Sequence, residues 1–101
     1  MVQTKGGKRM IEIQKYTSPQ CRYCPAVSHY VDELRDQGAL EGVHITHFNA
    51  VNLSEEERDK VGVSSVPTLI FKRNGLEITR ITGMTDQETI LDAVQIARDG
   101  R

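Results

Sequence analysis

Two cysteines three residues apart are the part of this sequence best suited to chemistry. Cys21 and Cys24 enclose Arg22 and Tyr23 in a Cys-x-x-Cys motif between a predicted strand and a predicted helix. Near a β-α-β pattern, this spacing indicates a redox-active dithiol. Such a pair can also bind a metal ion. It can form a structural disulfide as well, although a bridge across so short a loop adds little stability.

The predicted place of the pair at the start of a helix indicates how its thiols would react. Backbone N–H groups in the first turn have no partner within the helix, and the helix dipole places partial positive charge there. A thiolate there is stabilised, so its pKa falls below about 8.5, and the charges of Arg22 and Lys15 would add to this effect. We expect Cys21, nearer the helix tip, to be the exposed nucleophile. Cys24, one turn along, would be the less exposed thiol that resolves the mixed disulfide.

Histidines could extend the cysteine pair into a metal site, but their spacing argues against it. His44 and His47 have two residues between them, whereas zinc-finger pairs have three to five. Residues three apart on a strand also point to opposite faces of a sheet. We therefore interpret both as ordinary strand residues, interpret His29 as a solvated helix residue, and predict no metal ligand.

The spacing of apolar residues predicts seven elements in the order β-α-β-α-β-β-α. The strands cover residues 10–17, 43–48, 68–73 and 76–82, and the helices cover 25–37, 54–61 and 85–98. The first β-α-β unit should be a right-handed crossover with parallel strands. The hairpin formed by the last two strands is antiparallel. The predicted fold class is therefore α/β with a mixed sheet.

Turn and capping residues define the ends of these elements. Gly38 and Gly62 are placed to end the first two helices. Capping-box patterns at 54–57 and 85–88 begin the second and third helices, and Asn74-Gly75 is typical of a type I′ hairpin turn. The inward residues predicted for the last helix are Ile90, Leu91, Val94 and Ala97.

Composition limits the classes of protein that the chain can be. Its 101 residues suffice for one domain, which we assign to 10–101 after a flexible lead at 1–9. Thirteen Lys and Arg nearly balance fourteen Asp and Glu, which gives no electrostatic reason to expect nucleic acid or an anionic membrane as partner. The longest clean apolar run, 66–71, is too short to span a membrane. No export signal is visible, so we expect a cytoplasmic protein.

Two segments resemble known families. Residues 16–25, Tyr-Thr-Ser-Pro-Gln-Cys-Arg-Tyr-Cys-Pro, resemble the active-site segment of glutaredoxins and of small archaeal-type thioredoxins. Residues 62–75, Gly-Val-Ser-Ser-Val-Pro-Thr-Leu-Ile-Phe-Lys-Arg-Asn-Gly, and then Gly83, resemble the second half of thioredoxins. The resemblance covers residues 10–98. It implies the thioredoxin fold, with four strands in the order second, first, third, fourth and helices on both faces.

The resemblance also implies roles for individual residues. The first cysteine matches the nucleophile and the second matches the resolving thiol. Pro67 matches a cis-proline that faces the pair, and the backbone of Val66 beside it can pair with an extended substrate. Arg22 and Tyr23, between the cysteines, would contact substrate.

The chain departs from these families in three places. Lys15 stands where thioredoxins have a buried Asp that accepts the proton of the resolving thiol, which a charged lysine cannot do. Either Cys24 is deprotonated with other help, or Lys15 points to solvent, and we favour the second. Arg22 replaces the proline of the glutaredoxin Cys-Pro-Tyr-Cys motif. Gly83 is followed by Met84 instead of the second glycine of the glutathione-binding Gly-Gly-Asp.

These features imply a thiol–disulfide oxidoreductase that reduces protein disulfides without a bound cofactor, because the dithiol itself carries the two electrons. We expect disulfide-bearing proteins as substrates, a thioredoxin-reductase-type flavoenzyme as electron donor, and a monomer. The alternatives are a glutathione-coupled glutaredoxin-like enzyme, a metal-binding module built on the two cysteines, and a thioredoxin-like adaptor without turnover.

Overall fold

A computed structural model describes residues 10–99 of the chain. The predicted lead, residues 1–9, and the last two residues of the predicted domain lie outside the described residues. Between residues 10 and 99, four strands and three α-helices follow in the predicted order. They are β1 Ile11–Thr17, α1 Cys24–Asp36, β2 Val43–Asn49, α2 Glu55–Val61, β3 Thr68–Arg73, β4 Leu76–Thr82 and α3 Gln87–Asp99. A 3-10 turn, Ala50–Asn52, precedes α2.

The four strands form one mixed sheet in the order β2-β1-β3-β4, which confirms the predicted fold class. β1 is parallel to β2 and antiparallel to β3, and β3 is antiparallel to β4. Tyr16 near the end of β1 pairs with Thr68, the first residue of β3. The loop that leaves β1 and the loop that enters β3 therefore meet at the same edge of the sheet.

Helix α1 lies on the sheet through one apolar stripe. Val27, Val31 and Leu34 recur at helical spacing and are buried, because side chains three and four residues apart share a face. The helix ends at Asp36, and Gly38 follows with φ of 83°. That conformation favours glycine, which carries no Cβ, so the predicted stop at Gly38 is confirmed.

The sheet has a core on each face. Residues of β1, β3, α1 and α3 pack together on one face, and Tyr16, Val63 and Ile70 form a smaller cluster on the face that α2 covers. The prediction of helices on both faces is therefore confirmed.

Helix α3 differs from the prediction in its buried stripe and in its N-terminal cap. Leu91 is exposed, at 37%, whereas Ala93 is buried. The buried stripe of α3 is 90, 93, 94 and 97, and Leu91 lies about 100° away from Ile90 around the helix. Asp86 forms the N-terminal cap instead of Thr85, since its Oδ1 accepts from the Thr89 N–H at 2.8 Å.

Helix α2 contributes no buried residue, and it is held by its ends. Ser54 and Glu57 form the predicted capping box, and the helix ends at Gly62 as predicted. Arg80 on β4 donates to the carbonyls of Val61 and Gly62 at 2.9 and 3.0 Å. These contacts fix α2 beside the loop that enters β3.

The Asn74-Gly75 turn that joins β3 to β4 has positive φ at both residues, 52° and 85°, as a type I′ turn requires. The Asn74 side chain also accepts from the Met10 N–H at 2.9 Å. The predicted hairpin is confirmed.

None of the helices among residues 10–99 is long and apolar enough to cross a membrane.

Candidate active site

The two cysteines form a disulfide at the N-terminus of α1. Cys24 is the first residue of the helix and is 4% exposed, whereas Cys21 lies in the preceding turn and is half-buried. Their Cα atoms are 5.4 Å apart. The predicted difference in exposure is therefore present in the oxidised protein. Cys21 is the more accessible of the two cysteines.

The first turn of α1 supplies a hydrogen bond to the exposed sulfur. The Cys24 N–H donates to Cys21 Sγ at 3.1 Å, and the Cys21 N–H donates to the Ser18 carbonyl at 3.2 Å. Tyr23, the N-cap residue, makes no side-chain capping bond, and the first turn carries no acidic residue. A thiolate at Cys21 would therefore keep a backbone donor and the positive end of the helix dipole.

The loop before β3 enters the sheet at the edge where β1 ends and the loop to the cysteines begins. Its Val66–Pro67 peptide bond is cis, and Pro67 is buried. The Gly83 N–H donates to the Pro67 carbonyl at 2.8 Å, and Thr68 Oγ1 donates to the Ser65 carbonyl at 2.8 Å. The backbone groups of Val66 form no hydrogen bond within residues 10–99. They remain available to an extended peptide.

Lys15 is buried, at 7% exposure, so the expectation that it points to solvent is wrong. It lies on the central strand β1, with Leu69 and His47 opposite it on β3 and β2. Burial lowers the pKa of its amine, against the opposing effect of Asp32. The sequence held a signal for this burial, because position 15 shares the parity of the buried Ile11 and Ile13.

The histidines lie on the predicted elements, His29 on α1 and His44 and His47 on β2. His29, His44 and His47 are exposed. His47 Nε2 lies 2.6 Å from Thr17 Oγ1, and His29 lies 3.4 Å from Glu33. Within residues 10–99, no three His, Cys, Asp or Glu side chains are grouped as metal ligands.

Sequence reasoning missed two exposed apolar side chains and one charged side chain at this edge of the sheet. Val51 and Met84 are exposed, as is Tyr23, which the sequence analysis already predicts to contact substrate. Val51 shares a cavity with Ser18 and Val66, and Met84 follows the residue bonded to Pro67. Arg58 on α2 reaches the same cavity. No local motif marks Val51 or Arg58, because only the fold brings them to the site.

Comparison with known proteins gives a consistent result. The family model described as a thioredoxin-like domain matches residues 2–97. A curated thioredoxin of Methanocaldococcus jannaschii is 22% identical over 85 residues, covering 84% of this chain and 93% of the relative.

Solved structures of thioredoxins are similar in fold. Thioredoxin-2, described as a component of malaria parasite protein secretion machinery, has a TM-score of 0.75 and 17% identity over 87% of this chain and 84% of its own. A mutant thioredoxin from Halobacterium salinarum has a TM-score of 0.73 and 18% identity over 86% of this chain and 74% of its own. Likeness at these identities shows the fold alone.

Proposed function

The chain belongs to the thioredoxin-like domain family, and on that premise we propose that it reduces disulfide bonds of other proteins through Cys21 and Cys24. Membership and the Cys-x-x-Cys disulfide support thiol–disulfide oxidoreductase chemistry in general. The observation that carries the proposal is the hydrogen bond from the Cys24 N–H to Cys21 Sγ at 3.1 Å. It stabilises negative charge on the sulfur that substrate can reach.

The first step forms a mixed disulfide. The Cys21 thiolate attacks one sulfur of the substrate disulfide, and a new S–S bond forms while the substrate S–S bond breaks. The departing substrate sulfur takes the electron pair and then a proton from solvent. Backbone hydrogen bonding at the start of α1 favours the thiolate form of Cys21, which is the form that attacks.

The second step closes the internal disulfide. Cys24 loses its proton and attacks the sulfur of Cys21, and the second substrate sulfur leaves as a thiolate. The substrate has then gained two electrons, and the protein has the Cys21–Cys24 bond seen in the structure. No bound cofactor is required, because the dithiol supplies both electrons.

An extended substrate segment would dock on the loop before β3. The unpaired backbone of Val66 offers a donor and an acceptor, so the segment can add as a short strand. The exposed side chains of Tyr23, Val51 and Met84 provide apolar contact around the reacting sulfur, and Arg22 lies exposed beside it. This surface suits a polypeptide better than a small charged thiol.

We propose that a thioredoxin-reductase-type flavoenzyme returns the protein to the dithiol state in a reducing compartment such as the cytoplasm. A protein donor would use the same docking surface as a protein substrate. Glutathione as donor would need a dedicated binding site, and Met84 occupies the position of the second glycine in the glutaredoxin glutathione motif.

Cysteine variants test the proposal. Reduction of a small disulfide-bearing protein such as insulin would be followed with electrons supplied either by NADPH and a thioredoxin-reductase-type enzyme or by NADPH, glutathione reductase and glutathione. We expect turnover when NADPH and the thioredoxin-reductase-type enzyme supply the electrons. Cys21→Ser should fall to the background rate, and Cys24→Ser should accumulate a covalent substrate adduct because resolution is blocked.

The double variant, Cys21→Ser with Cys24→Ser, is the control for folding and for non-covalent binding, and it should form no adduct. Turnover that survives in Cys21→Ser would overturn the assigned nucleophile. Turnover with glutathione alone would overturn the proposed donor and leave the dithiol chemistry intact.

A further inference from the structure

A cavity of about 200 Å³ opens between the loop that precedes Cys21 and the loop before β3, on the side of α2. Ser18, from the loop before Cys21, contributes to one wall, and residues 64–66 contribute to another. Ala50 and Val63 are buried apolar residues of its lining. A dry cavity of about 150 Å³ holds a benzene molecule, so this cavity has room for one side chain of moderate size.

Arg58 gives this cavity its charge. It is the sole charged side chain among the described residues that line the cavity. Its side chain makes no ion pair or hydrogen bond within residues 10–99, whereas Arg80 is bound to Glu77 at 2.6 Å. Glu55 and Asp59 line a neighbouring cavity with Arg58, but neither forms an ion pair with it. The guanidinium is therefore available to an incoming carboxylate.

The path of a docked substrate leads to this cavity. A segment paired with the backbone of Val66 would continue along Ser65 and Ser64, which line the cavity. Successive residues of an extended chain advance about 3.3 Å. A side chain within about two residues of the reacting cysteine would thus lie over the cavity.

We propose that this cavity is a specificity pocket for an acidic side chain of the substrate protein. The methylene groups of a glutamate would contact Ala50, Val51 and Val63, and its carboxylate would accept hydrogen bonds from Arg58. The inference rests on the proposed function and deepens it. The substrate class becomes protein disulfides flanked by Asp or Glu within about two residues of the attacked cysteine.

The test uses cysteine peptides blocked as 2-thiopyridyl mixed disulfides, with Glu, Gln or Lys placed one or two residues from the cysteine. The Cys21 thiolate attacks the peptide sulfur, and the bond to the thiopyridyl sulfur breaks. That sulfur leaves with the electron pair and, once protonated, is observed as 2-thiopyridone. Cys24 then attacks Cys21 and releases the peptide thiol. The second-order rate constant of the reduced full chain is measured for each peptide.

At low salt, at one of the two positions, we expect the Glu peptide to react about three- to tenfold faster than its Gln counterpart, and the Lys peptide to be slowest. Arg58→Gln should remove the difference between Glu and Gln. Arg58→Glu should reverse the order of Glu and Lys. Lys60→Gln is the matched control, because it removes the same charge from α2 outside this cavity, and it should keep the preference for Glu.

The outcomes separate this inference from the proposed function. Equal rates for the three peptides at both positions, with normal turnover, would overturn the acidic pocket and leave the reductase proposal standing. Rates no faster than those of Cys21→Ser would overturn both. A preference that Lys60→Gln abolishes as fully as Arg58→Gln would overturn the pocket, since it would reflect net charge alone.

A parallel measurement with glutathione distinguishes a carboxylate of glutathione from a carboxylate of a substrate protein as the group that the cavity binds. The 2-thiopyridyl disulfide of glutathione is compared with that of its dimethyl ester. Suppose that the ester of glutathione reacts more slowly than its free acid while the Glu peptides react no faster than the Gln peptides. That result would exclude an acidic side chain of a substrate protein, and the inference would fail. If the Glu peptides react faster than the Gln peptides and Arg58→Gln removes that difference, the inference stands, whatever the rate constants of the two glutathione disulfides.

Discussion

At the scale of single residues, Lys15 departs most from its local pattern. It is buried on the central strand, on the same face as Ile11 and Ile13. Burial disfavours its charged form and lowers the pKa, Asp32 partly offsets that cost, and Arg35 adds to it. His47 on β2 faces the same side of the sheet. We therefore expect Lys15 to cost the folded state free energy that a neutral side chain of similar length would not.

Lys15→Met should raise the free energy of unfolding at pH 7 by about 1 kcal/mol, because an apolar side chain of similar length replaces a buried charge. The pKa of Lys15 is lowered in the folded protein and near its usual 10.5 in the unfolded chain. Between those values the unfolded chain binds more protons, so the lysine protein gains stability as pH rises. The advantage of the methionine variant should shrink towards pH 10.5. Urea unfolding of the oxidised protein at pH 7 and pH 10 measures both effects.

Lys72→Met is the control for this measurement. Lys72 is partly exposed and lies on β3, at a position that faces the opposite side of the sheet from Leu69 and Phe71. We expect its loss to change stability by less than about 0.5 kcal/mol. A destabilised Lys15→Met, or equal effects of the two variants, would show that burial of Lys15 carries no net cost.

At the scale of elements, α2 depends on its ends. None of its residues is fully buried, and its apolar contact with the smaller core is made by Val61 at its C-terminal end. Ser54 Oγ accepts from the Glu57 N–H at 3.0 Å, and the Ser54 N–H donates to the Glu57 carboxylate at 2.8 Å. Hydrogen bonding from Ser54 to the carboxylate, chiefly from its backbone N–H, lowers the pKa of Glu57. The stabilising contribution of that carboxylate is lost as pH falls through its lowered pKa.

Ser54→Ala removes the side-chain half of the cap and should lower the free energy of unfolding by about 1 kcal/mol. Urea unfolding at pH 7 measures the change. Hydrogen exchange of the amides of α2 should also accelerate, because this exposed helix opens more often. Ser64→Ala is the matched control, since Ser64 is exposed and caps no helix, and it should change stability by less than about 0.5 kcal/mol. Equal effects of both variants would contradict the role given to the cap.

At the scale of the whole molecule, the two faces of the sheet are unequal. α1 and α3, with 13 residues each, cover one face and form the larger of the two cores. The other face is covered by the 7-residue α2 and its flanking loops. Neighbouring residues on β3 point to opposite faces of the sheet. Two adjacent residues therefore lie in the two different cores at nearly the same position along the strand.

Leu69→Ala and Ile70→Ala compare the cores directly. Leu69 is 1% exposed in the core of α1 and α3, and Ile70 is 2% exposed in the core of α2. Each change removes three carbons from a buried side chain. We expect a loss of about 4 kcal/mol for Leu69→Ala and about 2 kcal/mol for Ile70→Ala, because the thinner core relaxes more readily around a cavity. Urea unfolding measures both, and a larger loss at Ile70 would contradict the unequal cores.

The sequence by itself determined the features that depend on residues close together in the chain. The spacing of Cys21 and Cys24, the cap at Ser54 and the turn at Asn74 each involve a few neighbouring positions. Local backbone preference and short-range hydrogen bonds decide such features. The order of the elements followed in the same way from the periodicity of apolar residues.

Only the tertiary structure decided which distant residues meet. Lys15 is buried because both neighbours of β1 and a covering helix close around it, and Leu91 is exposed because α3 docks through an adjacent stripe. Arg58 reaches the cavity beside Val66 because Arg80 and the cap hold α2 there. Each outcome depends on how elements pack across the sheet. Residue spacing along one segment indicates at most a face, as the parity of position 15 with Ile11 and Ile13 does, and it does not decide what packs against that face.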